Sequence, residues 1–265
     1  MQVTRVSVSV PTRAPTGATN AYVIASDGGS ATDGALLVDP PARTAELDSA
    51  VESRGVSHIV VTHTHRDHVG AVASYARETD ATVWCRRGRE AVFTDATGVE
   101  PDQTFVEGTT IPVGTGVTVL DTPGHARDHV TFVADGDYLC GDLAVAEGSV
   151  VVGAPEGDMR AYLVALRRLH ARNPQRLLPG HGPIIDDPRP VLARIIDHRL
   201  TREQSVLDAV RSGNETPESV TDAAYDKDIS GVRDLARATV VAHIEKLAAE
   251  GAVRWNPETG RVRPR

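Results

Sequence analysis

The sequence predicts an α/β fold that passes into a smaller helical segment ending in a hairpin. Short apolar runs bounded by Gly, Pro, Asn and Asp recur through the first 187 residues, and helix-periodic stretches separate several of them. After Asp186-Asp187-Pro188 the texture becomes helical, which places a boundary near 187 and divides the chain into 1–187 and 188–265. At 265 residues the chain is long enough for one or two domains and for a full core without disulfides.

Each element has a local reason. Gln2–Val10 alternates, with Val3, Val6, Val8 and Val10 set mostly against Arg5, Ser7 and Ser9. A Pro/Gly/Thr loop over Pro11–Asn20 leads to Ala21–Ala25, a Gly-rich turn over Asp27–Gly34 and Ala35–Asp39, all hairpin material. Thr44 is a good N-cap and Gly55 a good stop for a helix between them. Val56–Thr62 is a continuous apolar run, as in a strand buried on both faces. His68–Glu78 has helical spacing through Val69, Val72, Tyr75 and Ala76. Short strands are expected at Thr82–Cys85, Phe105–Val106, Val117–Asp121, Val130–Ala134 and Tyr138–Cys140. Met159–Ala171 is an amphipathic helix that Asn173-Pro174 ends, and Arg176–Pro179 is one more strand. Helices over Val191–Arg211, Glu218–Tyr225 and Asp234–Glu250 follow, then Ala252–Trp255 and Arg261–Arg263 around the turn Pro257-Glu258-Thr259-Gly260. Three helices and a terminal hairpin resemble a winged helix.

Composition narrows the function classes. Hydrophobic residues at 40% exclude general disorder. No apolar run is long enough for a membrane span. Cys85 and Cys140 cannot make a disulfide framework, and the first residues lack the pattern of a signal peptide, so a cytoplasmic location is expected. The net charge is −8, and Lys227 and Lys246 are the only lysines among 28 basic residues. An acidic, lysine-poor surface suits a salt-rich cytoplasm, and a GC-rich genome would also write Arg for Lys. Either way the charge argues against a broad electrostatic coat on nucleic acid.

The chemistry concentrates in Thr62-His63-Thr64-His65-Arg66-Asp67-His68-Val69-Gly70, between a buried strand and a helix. His63 and His65 differ by two, so in extended chain they point the same way. Asp67 and His68 lie where the loop turns into the helix and point to a second position beside the first. Downstream, His125 follows Leu120-Asp121-Thr122-Pro123-Gly124, Asp142 follows Leu139-Cys140-Gly141, and His181 follows Leu178-Pro179-Gly180. Each is a strand end, a glycine and a metal-ligand type. One open zinc site needs three protein ligands. The surplus implies two divalent ions at ~3.5–4 Å, with zinc the default and iron or manganese accepted by the same donors. His129, four residues after His125, could orient a ligand, touch substrate or simply start a strand. Cys140 reads as a buried strand residue, and His58, His170, His198 and His243 as ordinary helix or strand histidines.

The cluster His63-Thr64-His65-Arg66-Asp67-His68, with Thr122-Pro123-Gly124-His125, Gly141-Asp142 and Gly180-His181, resembles the metallo-β-lactamase superfamily over residues 1 to about 186. The resemblance implies an αββα sandwich with metals at one sheet edge. It implies His63, His65 and His125 on the first metal, Asp67, His68 and His181 on the second, Asp142 bridging, and a bridging hydroxide as nucleophile. Asp67 would also orient that nucleophile.

The His198-Arg199, Arg202-Glu203 and Ala242-His243-Ile244-Glu245-Lys246-Leu247 segments are similar to the tail of the β-lactamase-like protein 2 group, which includes endoribonucleases acting on single-stranded RNA. Single-stranded RNA is therefore one expected substrate, with Arg254, Arg261, Arg263 and Arg265 as a basic strip. A small ester or thioester, as in hydroxyacylglutathione hydrolases, is the second. A nucleic-acid-binding regulatory protein is a reading of another class. Membrane contact is not expected, and a homodimer is compatible with the sequence.

Overall fold

A computed structural model describes the chain except for residues 28–33, so the centre of the expected Gly-rich turn lies outside the described residues. The first sheet runs in the order β1 (Gln2–Ser9), β2 (Ala18–Ala25), β3 (Ala35–Val38), β4 (Val56–Val60), β5 (Thr82–Arg86) and β6 (Gln103–Phe105). Its first three strands pair antiparallel, while β3 to β6 pair parallel. Parallel neighbours need crossovers. These carry α1 (Ala45–Arg54), α2 (Arg66–Val69), α3 (Val72–Thr79) and α4 (Glu90–Thr97). The second sheet contains β7 (Thr110–Ile111), β8 (Val117–Asp121), β9 (Val130–Ala134), β10 (Asp137–Gly141) and β11 (Arg176–Pro179), in the order β11-β10-β9-β8-β7. Helix α5 (Met159–Arg172) crosses from β10 to its parallel neighbour β11.

Side-chain alternation turns these sheets into four layers. Along β2, Ala21 and Val23 join a cluster with Leu47, Val72, Tyr75 and Phe93 of α1, α3 and α4. Tyr22 and Ile24, on the opposite face, join Val119, Phe132, Leu139 and Leu178 of the second sheet. The far face of that sheet, through Leu120, Tyr138 and Leu177, packs on Tyr162, Leu163 and Leu166 of α5. Helix, sheet, sheet, helix is the αββα sandwich.

The C-terminal region holds α6 (Pro188–Arg211), α7 (Pro217–Ala224), α8 (Arg233–Ala249) and a hairpin of β12 (Val253–Asn256) and β13 (Arg261–Pro264). Leu192 and Ile195 of α6 pack with α5. Val206 and Val210, further along α6, enter a separate cluster with Val220, Val240, Ile244, Val253 and Val262. No described helix is long and apolar enough to cross a membrane.

Strong local signals coincide with the ends of α1. Thr44 caps α1 by accepting from the Leu47 N–H, and Gly55 ends it in the left-handed region. The helix expected over His68–Glu78 is instead two, α2 and α3, broken at Gly70-Ala71. The Ala71 N–H donates to the Pro40 carbonyl at 3.0 Å, and a Cβ at Gly70 would lie 2.4 Å from the Pro41 carbonyl oxygen. This crossing of the chain takes a backbone donor out of the helix. Helix α4 and the two-residue strand β7 were not expected from the sequence, because α4 is short and only Phe93 and Thr97 of it are buried.

Gly124 illustrates how tightly the loops are pinned. It sits at φ +140°, and a Cβ there would fall 2.4 Å from the Tyr162 Cα. Gly124→Ala is expected to lower stability by at least about 2 kcal/mol, read as a lower midpoint in chemical denaturation.

Candidate metal centre

The candidate donors stand on strand ends that the two sheets bring to one edge. His63 and His65 follow β4, Asp67 and His68 open α2, and His125, Asp142 and His181 follow β8, β10 and β11. Backbone bonds tie the edge together. The Val130 N–H donates to the Thr62 carbonyl at 2.9 Å, and the Asn20 N–H to the Gly180 carbonyl at 2.7 Å. The Asn20 amide also donates to the carbonyls of Pro179 at 2.9 Å and Gly182 at 2.8 Å. Gly180 lies so close to the donors that a Cβ there would meet Asp142 Oδ1 at 2.6 Å and His68 Cε1 at 2.7 Å.

Three groups of donor atoms each fall within 4.8 Å of one another: His63, His65 and His125; His63, His68 and Asp142; Asp67, His68 and His181. Asp142 stands between them. Its Oδ2 is 3.5 Å from His125 Nε2 and 3.3 Å from His181 Nε2, and its Oδ1 is 3.7 Å from His68 Nε2. The structure therefore brings together His63, His65, Asp67, His68, His125, Asp142 and His181.

The outward nitrogen of each ring has an oxygen partner. His63 Nδ1 is 3.0 Å from Thr62 Oγ1, and His68 Nδ1 is 3.0 Å from Asp39 Oδ2. His125 Nδ1 is 2.7 Å from the Val151 carbonyl, His181 Nδ1 2.8 Å from the Ala18 carbonyl, and His65 Nε2 3.3 Å from Glu156 Oε2. A carbonyl or carboxylate accepts only, so the ring proton sits on the outward nitrogen. Thr62 spends its own proton on Asp39 Oδ2 at 2.7 Å and therefore accepts from His63. In a neutral ring the inward nitrogen then carries the lone pair. His65 Nδ1 lies 3.0 Å from both His63 Nε2 and His125 Nε2. Three lone pairs at such distances repel unless a cation sits among them. His68 Nε2 and Asp142 Oδ1 are also buried without a hydrogen-bond partner. The donor set fits two divalent ions, in the manner of histidine sites whose outer N–H is held by oxygen.

The electrostatics agree. Burial pushes His63 and His125 down; neighbouring histidines add to this, and at His125 the Asp142 carboxylate opposes it without reversing it, so both rings are neutral donors. Burial also opposes charge at His68, but Asp39, Asp142 and Asp67 overrule it and raise the ring to about 9. Burial opposes charge at His181 in the same way, and Asp142 beside it raises the ring nonetheless. Burial would raise Asp142, yet His181, His68 and His125 hold it below the usual carboxylate range. The carboxylates that favour positive charge at His68 and His181 favour a metal cation there as well.

His129 stands behind the donors. Its Nε2 accepts from the Asp142 N–H at 3.1 Å and its Nδ1 meets Thr122 Oγ1 at 2.9 Å. Burial pushes it down to about 3, so the ring is neutral and can accept. It holds the backbone of Asp142 in place. Cys140 is fully buried, its thiol raised to about 12 by burial. His58 accepts from Trp84 Nε1 at 3.2 Å, away from the cluster.

Sequence reasoning missed Asp39. It is buried and left-handed at φ 52°, and its Oδ1 accepts from the Thr62 N–H at 2.6 Å. Its other oxygen serves Thr62 Oγ1 and His68 Nδ1. It follows the apolar run Ala35-Leu36-Leu37-Val38 directly, without the glycine that marks His125, Asp142 and His181, so the strand-end carboxylate was its only sequence signal. Glu156 had no comparable signal.

The family model described as the metallo-beta-lactamase superfamily matches residues 14–181. The chain belongs to the metallo-beta-lactamase superfamily. It is 31% identical over 239 residues to the beta-lactamase-like protein 2 homolog of Drosophila melanogaster, covering 82% of this chain and 77% of that protein. It is 28% identical over 200 residues to an atrochrysone carboxyl ACP thioesterase of Aspergillus fumigatus, covering 71% and 60%. The solved metallo-beta-lactamase family protein TTHA1429 from Thermus thermophilus superposes with a TM-score of 0.77 at 22% identity, over 99% of this chain and 98% of that one. That likeness shows the fold and includes the C-terminal region. As a metallo-beta-lactamase superfamily member with this His/Asp cluster, the protein is a metal-dependent hydrolase.

Proposed function

We propose that the chain is a dinuclear hydrolase that activates water for attack on a small acyl ester or thioester. The observation that carries the dinuclear reading is the set of inward nitrogens converging from five histidines, with Asp142 between the groups. His63, His65 and His125 would hold one ion, Asp67, His68 and His181 the other, and Asp142 both. Two bound cations supply a lowered water pKa and stabilise the developing oxyanion. Imidazole and carboxylate donors favour zinc and also take iron or manganese. Thr12 Oγ1 donates to Asp67 Oδ2 at 2.5 Å, which fixes the carboxylate that orients the attacking water.

The charges near the site favour the acyl substrate. Glu156 stands on the exposed side, 3.3 Å from His65 Nε2, where it would repel a phosphate backbone. The basic strip expected on the hairpin is partly neutralised, since Glu215 pairs with Arg261 at 3.2 Å and Arg263 at 3.4 Å. Arg233 pairs with Asp222 at 2.5 Å, and Arg237 pairs with Glu218. We read residues 188–265 as a winged-helix-like unit beside a catalytic unit of 1–187. With the α8 arginines committed to α7, it serves packing better than nucleic-acid reading. The thioesterase among the relatives supports the acyl reading. Single-stranded RNA stays a second reading on one observation, the likeness to the Drosophila protein, which extends over 82% of the chain.

The test combines metal analysis with parallel assays of the purified protein on a glutathione thioester and on single-stranded RNA. Two bound ions and thioester turnover without RNA cleavage are expected. RNA cleavage without thioester turnover would overturn the substrate class, and metal-independent binding of duplex DNA would favour a regulatory protein.

A further inference from the structure

The segment Val150–Glu156, between β10 and α5, supplies outer hydrogen-bond partners to two donors of one group. The Val151 carbonyl accepts from His125 Nδ1 at 2.7 Å, and Glu156 Oε2 faces His65 Nε2 at 3.3 Å. The third ring of that group, His63, is held separately through Thr62. Ring orientation at His65 and His125 therefore depends on where this one segment lies.

The segment is held from behind by the C-terminal helices. Arg199 of α6 is 4% exposed and donates to the Val150 carbonyl, with its guanidinium 5.6 Å from the Tyr162 ring centroid. On the other side the Ala154 N–H donates to the Ala238 carbonyl of α8 at 3.2 Å. Gly153 approaches α8 so closely that a Cβ there would lie 2.8 Å from the Ala238 Cβ. A buried guanidinium is costly to desolvate, and the Nε of Arg199 has no hydrogen-bond partner among the described residues, so its hydrogen bond to Val150 matters the more. Here its partner is the carbonyl next to the one that orients His125.

We propose that α6 and α8 set the geometry of the His65–His125 half of the site through Val150–Glu156, with Arg199 and Glu156 as positioning residues. The inference rests on the reading of these histidines as metal ligands. Oxygen acceptors behind a histidine fix its ring and raise its basicity, and losing one costs about 10–100-fold in metal affinity.

The test uses full-length protein titrated with Co²⁺, read by its visible absorption and by calorimetry. Wild type is expected to take up two ions. Glu156→Ala, Gly153→Ala and Arg199→Leu are each expected to weaken one of the two by roughly 10-fold or more and to shift its absorption band. Arg199→Lys keeps a cationic donor and should restore part of the loss. Glu156→Ala and Gly153→Ala decide the outcome if Arg199→Leu does not fold. Folded variants that bind both ions with wild-type affinity and spectrum would overturn the proposal. Failure of wild type to bind two ions would overturn the ligand reading instead.

Discussion

Asp67→Ala is expected to fold as wild type and to lose turnover by about 10³-fold or more. Asp67 is half-buried at the start of α2, and its contacts are the Thr12 hydroxyl and, at 3.7 Å, His181 Nε2. Removing its carboxylate takes nothing from the hydrophobic clusters, which lie away from it, so stability changes little. It does remove one donor from the group with His68 and His181. On the proposed mechanism it also removes the acceptor that would orient the attacking water. Circular dichroism with thermal melts checks the fold, metal analysis the ion content, and turnover the loss. Full activity in a folded, ion-depleted Asp67→Ala protein would sink the assignment of this site.

Asp39→Asn is expected to lower metal affinity by roughly 10–100-fold while retaining the fold. Asparagine tolerates the left-handed backbone at this position. Its carbonyl oxygen can still accept from the Thr62 N–H. Its amide nitrogen, however, would point a donor at the Thr62 hydroxyl and at His68 Nδ1–H, where a carboxylate oxygen now accepts from both. The His68 ring would lose the acceptor that fixes its orientation. Asp39→Ala goes further and leaves three buried donors unsatisfied. Each costs about 1–3 kcal/mol, so denaturation should show a loss of several kcal/mol. Metal titration of Asp39→Asn with wild-type affinity would remove Asp39 from the site.

Much of the site was legible because its donors obey a local grammar. His63 to His68 are neighbours in sequence, and Gly124-His125, Gly141-Asp142 and Gly180-His181 repeat one pattern of strand, glycine, donor. Strands β8, β9 and β11 and the capped helix α1 were legible for the same reason, since alternation, apolar runs and caps are set by residues a few positions apart. The break between α2 and α3 was not, because the competing partner of the Ala71 N–H is Pro40, distant in sequence. Periodicity across Val69, Val72 and Tyr75 carried straight through it.

The roles of Asp39, His129 and Glu156 show the same division. Sequence spacing picked out His129 without saying what it does. Its role is visible only where β9 brings it against the Asp142 backbone. The paired state of the C-terminal arginines was equally hidden, for Glu215 and Glu218 must fold back onto Arg261, Arg263 and Arg237 to neutralise them. By itself, then, the sequence determined the residue types, their strand-end placement and the superfamily, because these depend on short-range pattern. Only the tertiary structure decided which nitrogen of each histidine faces inward. It also decided which carboxylate anchors the loop and which helices brace the segment behind His65 and His125. Those outcomes depend on hydrogen bonds between residues far apart in the chain, which no local periodicity encodes.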